Sequence, residues 1–182
     1  MPATEMPFSA QEYAARLEKT RNAMEAKGID VLFVEDPSNM AWLTGYDGWS
    51  FYVHQGVIVF KDADPLWWGR AMDGNGAVRT VYMDDDRVLR YPDHYVQANT
   101  LHPMQHLAEI LRAHGFGNQR IGVELENYYF SAKAYLVLKE ELPNATFVDA
   151  TALVNWQRAV KSEEEIVFMR RAARISEKMI DG

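Results

Sequence analysis

The stretch Gly28-Ile29-Asp30-Val31-Leu32-Phe33-Val34-Glu35-Asp36-Pro37 decides the fold class, because it joins a helix, a strand and a second helix. Gly28 stands where a helix-ending glycine belongs. The run from Val31 to Val34 is continuously apolar and too short for a helix, which is typical of a buried strand. Asp36 and Pro37 match an N-cap followed by a proline in the first helical turn. This succession predicts an α/β protein.

The segments on either side of this stretch complete the two helices. Upstream, Ser9-Ala10-Gln11-Glu12 is a capping box that predicts a helix start. Tyr13, Leu17 and Met24 then keep one apolar face of that helix. Downstream, the short helix that begins at Pro37 ends at Gly45.

The rest of the chain continues the alternation of strands and helices. Two apolar runs, Val57 to Phe60 and Leu66 to Trp68, flank a polar turn and predict a hairpin. The later predicted elements are a helix from Pro103 to Ala113, a strand from Ile121 to Glu124, a helix from Ser131 to Leu142 and a strand from Thr146 to Val148. The segment from Gly69 to Asp93 has a mixed pattern. We therefore expect a mixed sheet flanked by helices in two or three layers, with one antiparallel hairpin.

A second capping box, in Lys161-Ser162-Glu163-Glu164-Glu165, begins a C-terminal linker helix. Its apolar stripe consists of Ile166, Met169, Ala173 and Ile180. A helix with an apolar face normally packs that face against something. The stripe could fold back on this domain, pair with another copy, or pack on a domain that follows Gly182. We expect the helix to stand away from the domain body or to pack against another copy.

Composition limits the classes of function. The 182 residues fit one domain with a short appendage, and 48% of them are apolar. We expect neither a transmembrane span nor a secretory signal at the first residues. The absence of cysteine excludes disulfides and Cys-ligated metals and suits a cytoplasmic protein. The net charge of −7 argues against nucleic-acid binding.

No complete active site is evident in the motifs. His102 and His106 have helical spacing, but Gln105 stands where a zinc peptidase would have its Glu, so we interpret them as surface histidines. The glycines from Gly69 to Gly76 lack the ending of a phosphate-binding loop, and no following residues complete a calcium loop after Asp84. We therefore predict no metal or other cofactor in this chain, and no hydrolase activity from it alone.

Three stretches resemble the N-terminal domain of the creatinase/prolidase family of pita-bread hydrolases. They are Phe8 to Ala14, Met72 to Thr80, and Lys161 to Ile166 with its continuation through Ser176. The resemblance divides the chain into a non-catalytic domain over residues 8–160 and a linker helix over residues 161–182. Within the family, Tyr46 to Tyr52 and Trp68 to Asp73 look most like ectoine hydrolases, then creatinases and Xaa-Pro dipeptidases.

The resemblance implies a catalytic domain after Gly182 that hydrolyses a C–N bond. In prolidase-like members that domain holds two divalent metal ions, whereas creatinase uses none. The family usually forms homodimers in which this domain covers the partner's active site. The implied substrate is a small zwitterion or a dipeptide.

The resemblance also indicates which residues would contact substrate in the dimer. Phe51 matches a substrate-contacting Phe of creatinases, but Val53 stands where those enzymes have an Arg. The predicted substrate-binding residues are Trp49, Phe51, Tyr52, His54, Arg70 and Asp73. Arg70 would meet a substrate carboxylate, although it could instead pair with Asp73 as a turn contact. The aromatic residues Trp49, Phe51 and Tyr52 could instead lie on a strand that buries alternate residues.

Three functions stay open at this point. The favoured one is a substrate-capping and dimerisation domain of an ectoine hydrolase- or creatinase-like amidohydrolase. The others are the N-terminal domain of an Xaa-Pro dipeptidase, which is a metallopeptidase, and a binding domain without enzymatic function. The identity of the substrate would distinguish the amidohydrolase from the dipeptidase. The coding sequence beyond Gly182 would distinguish both enzymes from a binding domain, because it shows whether a catalytic domain follows.

Overall fold

The computed structural model describes residues 6–181 and has one mixed six-stranded sheet at its centre. The strands are β1 (Val31–Val34), β2 (Gly56–Phe60), β3 (Leu66–Arg70), β4 (Val88–Tyr91), β5 (Arg120–Val123) and β6 (Thr146–Asp149). Their order across the sheet is β4-β3-β2-β1-β5-β6. Strand β2 is antiparallel to both neighbours, while the other pairs are parallel. The expected mixed sheet is therefore confirmed.

Helices cover both faces of the sheet, which makes three layers. The helices are α1 (Ala10–Ala26), α2 (Pro37–Thr44), α3 (Gly74–Thr80), α4 (Pro103–Ala113), α5 (Ala132–Glu141), α6 (Leu153–Ala159) and α7 (Glu163–Asp181). One core lies between the sheet and α1, α2, α3 and α6. A second core lies between the opposite face and α4 and α5. The large buried side chains of β3 divide between the two cores, with Trp67 in the first and Trp68 in the second.

The helix boundaries around β1 follow the predicted caps. Gly28 has a φ of 64° after α1, and Gly45 has a φ of 82° after α2, a region where a side chain would add strain. The Asp36 side chain accepts a hydrogen bond from the backbone N–H of Asn39 and caps α2. The expected hairpin is also present, because β2 pairs antiparallel with β3.

The segments with weak sequence patterns hold elements that the sequence analysis did not identify. Strand β4 and helix α3 lie in the mixed segment, and helix α6 follows β6. The interpretation of Trp49 to Tyr52 as a strand is wrong, because these residues form irregular backbone between α2 and β2. Where the hydrophobic periodicity of the sequence is weak, the helices and strands are therefore short, and their formation depends on packing against neighbouring elements.

The start of α7 docks on the domain through two consecutive carboxylates. Glu164 accepts hydrogen bonds from the backbone N–H and the hydroxyl of Ser9, at 3.1 and 2.6 Å. Glu165 accepts hydrogen bonds from Trp42 Nε1 at 2.8 Å and from Arg16 Nη2 at 3.3 Å. Ser9 still caps α1, but Glu164 rather than Glu12 satisfies its backbone N–H. The last helix thus completes the cap of the first.

Beyond this docked turn, α7 extends into solvent. Met169, Ala173 and Ile180 of the apolar stripe are exposed, and Ile166 is half-buried. The interpretation in which this stripe folds back on its own domain is therefore wrong. Among residues 6–181, no helix has the length and apolarity needed to cross a bilayer.

Candidate functional site

The strand directions bring polar residues to one edge of the sheet. Since β2 alone runs in the opposite direction, its start lies beside the ends of the other strands. Glu35 follows β1, His54 precedes β2 and Arg70 ends β3. Asp93 follows β4, and Glu124 follows β5. Ligands of open α/β sheets bind at this edge, outside the carboxyl ends of the strands.

The connection from α2 to β2 forms an aromatic lip, defined here as Trp49 to His54, at this edge. Trp49, Phe51 and Tyr52 are 59%, 64% and 66% exposed. Isolated exposed apolar residues are ordinary, but three large rings within four positions form a patch that suits contact with another molecule.

Two tyrosines from the loop after β5 join the lip. The ring centroids of Tyr129 and Trp49 lie 6.2 Å apart, and those of Tyr128 and Phe51 lie 6.4 Å apart. Neither tyrosine was predicted from the sequence. Their position just after a strand, at the edge where the lip begins, is the signal that could have found them.

A pocket of about 280 Å³ lies between the lip and this tyrosine pair. Its lining residues are Glu35, Pro37, Ser50, Phe51, Tyr52, Val53, His54, Gln55, Tyr128, Tyr129 and Ser131. Tyr52, Val53 and His54 also line a smaller pocket of about 170 Å³, whose other walls include Tyr91 and His102. The structure thus brings together three of the predicted residues, Phe51, Tyr52 and His54, and places Trp49 beside Phe51.

A buried Glu35 holds His54 at this pocket. Glu35 is only 2% exposed, and its Oε1 lies 2.9 Å from His54 Nδ1. Burial raises the pKa of Glu35 to about 7, although the contact with His54 opposes that shift. Since a carboxylate can only accept, His54 Nδ1 carries the proton in this contact when Glu35 is ionised. The ring orientation is thereby set by the carboxylate.

The backbone that carries Glu35 is held by a second buried carboxylate. Glu124 accepts hydrogen bonds from the backbone N–H groups of Glu35 and Asp36, at 3.0 and 3.1 Å. It also accepts from the side-chain amides of Asn39 and Asn127, at 2.7 and 2.9 Å. Burial raises the pKa of Glu124, while these donors oppose the shift. This network positions the turn from β1 to α2.

His102 and His106 have structural contacts that the sequence analysis did not identify. His102 is the N-cap of α4, because its Nδ1 accepts a hydrogen bond from the backbone N–H of Met104 at 3.2 Å. The partner residue of this capping box is Gln105. His106 Nδ1 accepts a hydrogen bond from Trp68 Nε1 at 3.0 Å. Both histidines are half-buried, so their interpretation as surface residues is wrong.

Comparisons with known proteins agree with this architecture. The family model for the creatinase/prolidase N-terminal domain matches residues 16–160. The chain belongs to this family. Ectoine hydrolase from Halomonas elongata is 57% identical over 171 residues, which cover 93% of this chain and 43% of that protein. The family resemblance noted in the sequence is therefore confirmed.

One further relative and one solved structure extend the comparison. Creatinase from Bacillus sp. (strain B-0618) is 26% identical over 179 residues, which cover 93% of this chain and 39% of that protein. The solved Xaa-Pro dipeptidase from Bacillus anthracis superposes with a TM-score of 0.72 at 17% identity, over 93% of this chain and 42% of that chain. The latter likeness concerns the fold alone. This creatinase/prolidase N-terminal domain thus spans about two fifths of the length of each of the three proteins named here.

Arg70 and Asp73 lie apart from the pocket lining of this creatinase/prolidase domain. Arg70 Nε donates to Asp93 Oδ1 at 2.8 Å, so the alternative in which Arg70 pairs with Asp73 is wrong. The guanidinium lowers the pKa of Asp93, whereas burial raises the pKa of Asp73. Within residues 6–181, only the Nε of Arg70 is engaged.

The residues of this domain do not form the two-metal site that the resemblance implies for prolidase-like catalytic domains. Within the described part of the chain, no three His, Asp or Glu side chains are grouped so as to hold a metal ion. The pair of Glu35 and His54 offers two ligands, but they contact each other. A family metal would therefore need ligands from outside residues 6–181.

Proposed function

We propose that this chain is the N-terminal substrate-capping and dimerisation domain of a C–N bond hydrolase of the ectoine hydrolase type. Its catalytic domain would follow residue 182, and any divalent metal ions would bind there. The enzyme would act in the cytoplasm as a homodimer on a small zwitterionic substrate. The identity of 57% to an ectoine hydrolase over nearly the whole chain supports this substrate class over a dipeptide.

The exposed aromatic lip is the observation that carries the proposal. Phe51 is 64% exposed and lines the pocket, so it contributes little to the core of this domain. Aromatic rings provide large and stiff contact areas for a ligand or for a second subunit. In the dimer, the lip would lie over the partner's active site and exclude water from the bound substrate.

Phe51→Ala in the full-length enzyme tests this role. We expect kcat/KM for ectoine to fall roughly three- to tenfold, since an aromatic contact contributes ~0.5–1.5 kcal/mol beyond its buried area. The melting temperature should be unchanged. Leu136→Ala is the control, because it truncates an exposed apolar residue on α5. Unchanged kinetics of Phe51→Ala would contradict the capping role.

Arg70→Lys tests whether Arg70 binds the substrate carboxylate. Asp93 engages Nε and leaves the two Nη groups able to form a fork with a carboxylate. Lysine keeps the charge but loses the fork, so we expect a raised KM with little change in kcat. If KM is unchanged, Arg70 has only the structural contact with Asp93.

A substrate panel separates the remaining functions. The full-length protein should hydrolyse ectoine in preference to creatine and to Xaa-Pro dipeptides, whereas this chain alone should hydrolyse none of them. Preference for an Xaa-Pro dipeptide would establish the dipeptidase alternative. A coding sequence without a catalytic domain after residue 182 would establish the binding-domain alternative.

A further inference from the structure

The pocket under the lip has a lining that favours positive charge. Phe51, Tyr52, Tyr128 and Tyr129 supply aromatic rings, and no Lys or Arg occurs among the lining residues. The faces of aromatic rings attract cations, and cages of such rings bind organic ammonium groups. Val53, which stands where the resemblance to creatinases implies an Arg, adds no charge to the lining. The walls therefore favour a cation over a carboxylate.

The only carboxylate in the lining strengthens this preference. Glu35 uses Oε1 for His54, while its Oε2 is buried and has no hydrogen-bond partner among residues 6–181. A buried polar atom without a partner costs stability, and a bound donor or positive charge nearby would recover part of that cost. When Glu35 is ionised and His54 is neutral, a carboxylate in the pocket would face the negative charge of Glu35 with no Lys or Arg in the lining.

His54 connects this carboxylate to the pocket space. Its ring is partly exposed and lines both pockets, and its Nε2 makes no hydrogen bond to the described residues. With Nδ1 held by Glu35, a neutral His54 has Nε2 free as an acceptor. The adjacent ring of His102, 5.1 Å away between centroids, does not add a competing charge at neutral pH, because burial lowers its pKa to about 4.

We propose that this pocket binds the cationic end of the substrate, a planar amidinium or similar N–H-bearing cation, between the aromatic rings and the Glu35–His54 pair. The N–H group donates to His54 Nε2, and Glu35 stabilises the positive charge through its proximity. Glu35 acts as a positioning residue for His54. The identification of this ligand with the substrate rests on the proposed function, but the charge preference of the pocket does not.

Two small probes of the same shape and opposite charge test the preference. Acetamidinium and acetate are both planar and carry a methyl group, so they differ mainly in charge and in donor capacity. Each is titrated into the 182-residue chain at constant ionic strength, at a pH above the Glu35 pKa of about 7 so that this carboxylate is ionised, and followed by NMR. We expect acetamidinium to shift the signals of Phe51, His54 and Tyr128, and acetate to leave them unchanged. Equal responses to the two probes, or no response to either, would overturn the proposal.

Matched variants assign the response to the named residues. Glu35→Gln should abolish the preference for acetamidinium, while Glu126→Gln, which removes an exposed carboxylate outside the pocket lining, should keep it. Tyr128→Leu should weaken acetamidinium binding by about two- to fivefold, and Tyr128→Phe should keep it, since the ring face rather than the hydroxyl binds the cation. Tyr128 is exposed, so this second pair remains informative even if Glu35→Gln fails to fold.

These outcomes are independent of the proposed enzymatic function. A charge preference in the isolated chain together with unchanged kinetics of Phe51→Ala would support the cation pocket and contradict substrate capping. Altered kinetics of Phe51→Ala together with equal binding of the two probes would support substrate capping and contradict the cation pocket. Loss of the preference in Glu126→Gln as well as in Glu35→Gln would contradict the assignment to Glu35.

Discussion

The lip and strand β3 place similar aromatic residues in opposite environments. Trp49 of the lip is 59% exposed, whereas Trp67 and Trp68, fewer than 20 positions later, are fully buried. Strand β3 pairs with neighbours on both sides. Its successive side chains point to opposite faces of the sheet, so its two tryptophans lie in the two cores. The lip pairs with no strand, and its rings contact mainly one another and the tyrosines after β5. Residue type therefore does not decide whether an aromatic side chain of this domain is buried in a core or exposed at the surface.

The largest effect is expected from truncating a buried tryptophan. Trp68→Ala removes the hydrogen bond to His106 and the ring contacts with Phe33 and Tyr91. We expect the free energy of unfolding to fall by about 3–5 kcal/mol, because the removed ring leaves a cavity in the second core. Urea denaturation of the wild type and the variant measures this difference. A loss below about 1 kcal/mol would mean that β3 is less well packed than its burial indicates.

An intermediate effect is expected at His102, which lies between the lip and the second core. Its folded-state pKa is about 4, below the ordinary value of 6.5, mainly because of burial. His102 is therefore protonated at a higher pH in the unfolded chain than in the folded chain. The stability contributed by the neutral, buried His102 is lost as pH falls from 6.5 to 4. Protonation of Nδ1 would also remove the acceptor for Met104 N–H. The loss should be on the order of 1–2 kcal/mol, allowing for partial exposure.

His102→Asn sharpens this test, because Asn is a good N-cap that does not titrate. Thermal unfolding at pH 7 and pH 4.5 should show a smaller fall in melting temperature for this variant than for the wild type. His94→Asn, at an exposed position, should behave like the wild type. If the His102 and His94 variants respond alike, the cap does not contribute to acid sensitivity.

The smallest effect on stability is expected in the lip itself. Phe51→Ala should change the free energy of unfolding by less than about 0.5 kcal/mol, as is usual for exposed positions. The same denaturation series that contains Trp68→Ala provides the measurement. A loss comparable to that of Trp68→Ala would show that the lip packs as core and would remove the contrast between the two regions.

The sequence predicted the elements whose ends carry strong local signals. Asp36, Pro37 and Gly45 define α2 because capping and left-handed backbone depend on neighbouring residues alone. Strand β4 and helix α6 were missed, since each is short and depends on packing with distant residues. The alternative contact of Arg70 with Asp73 was wrong because the actual partner, Asp93, is distant in the sequence. A partner three residues away is visible in the sequence, whereas Asp93 is brought near only by the pairing of β3 with β4.

The sequence by itself determined the α/β class, the helix caps around β1, the capping box of α7 and the family. It also identified Phe51, Tyr52 and His54 as candidates that the structure places at one pocket. Only the tertiary structure decided that Glu35 meets His54 and that Tyr128 lies beside Phe51. Glu35 and Tyr128 lie at the ends of different parallel strands, β1 and β5. The pairing of β1 with β5 brings the segments that follow these two strands to the same edge of the sheet. No local pattern of residues encodes this pairing, because the two strands are far apart in the sequence.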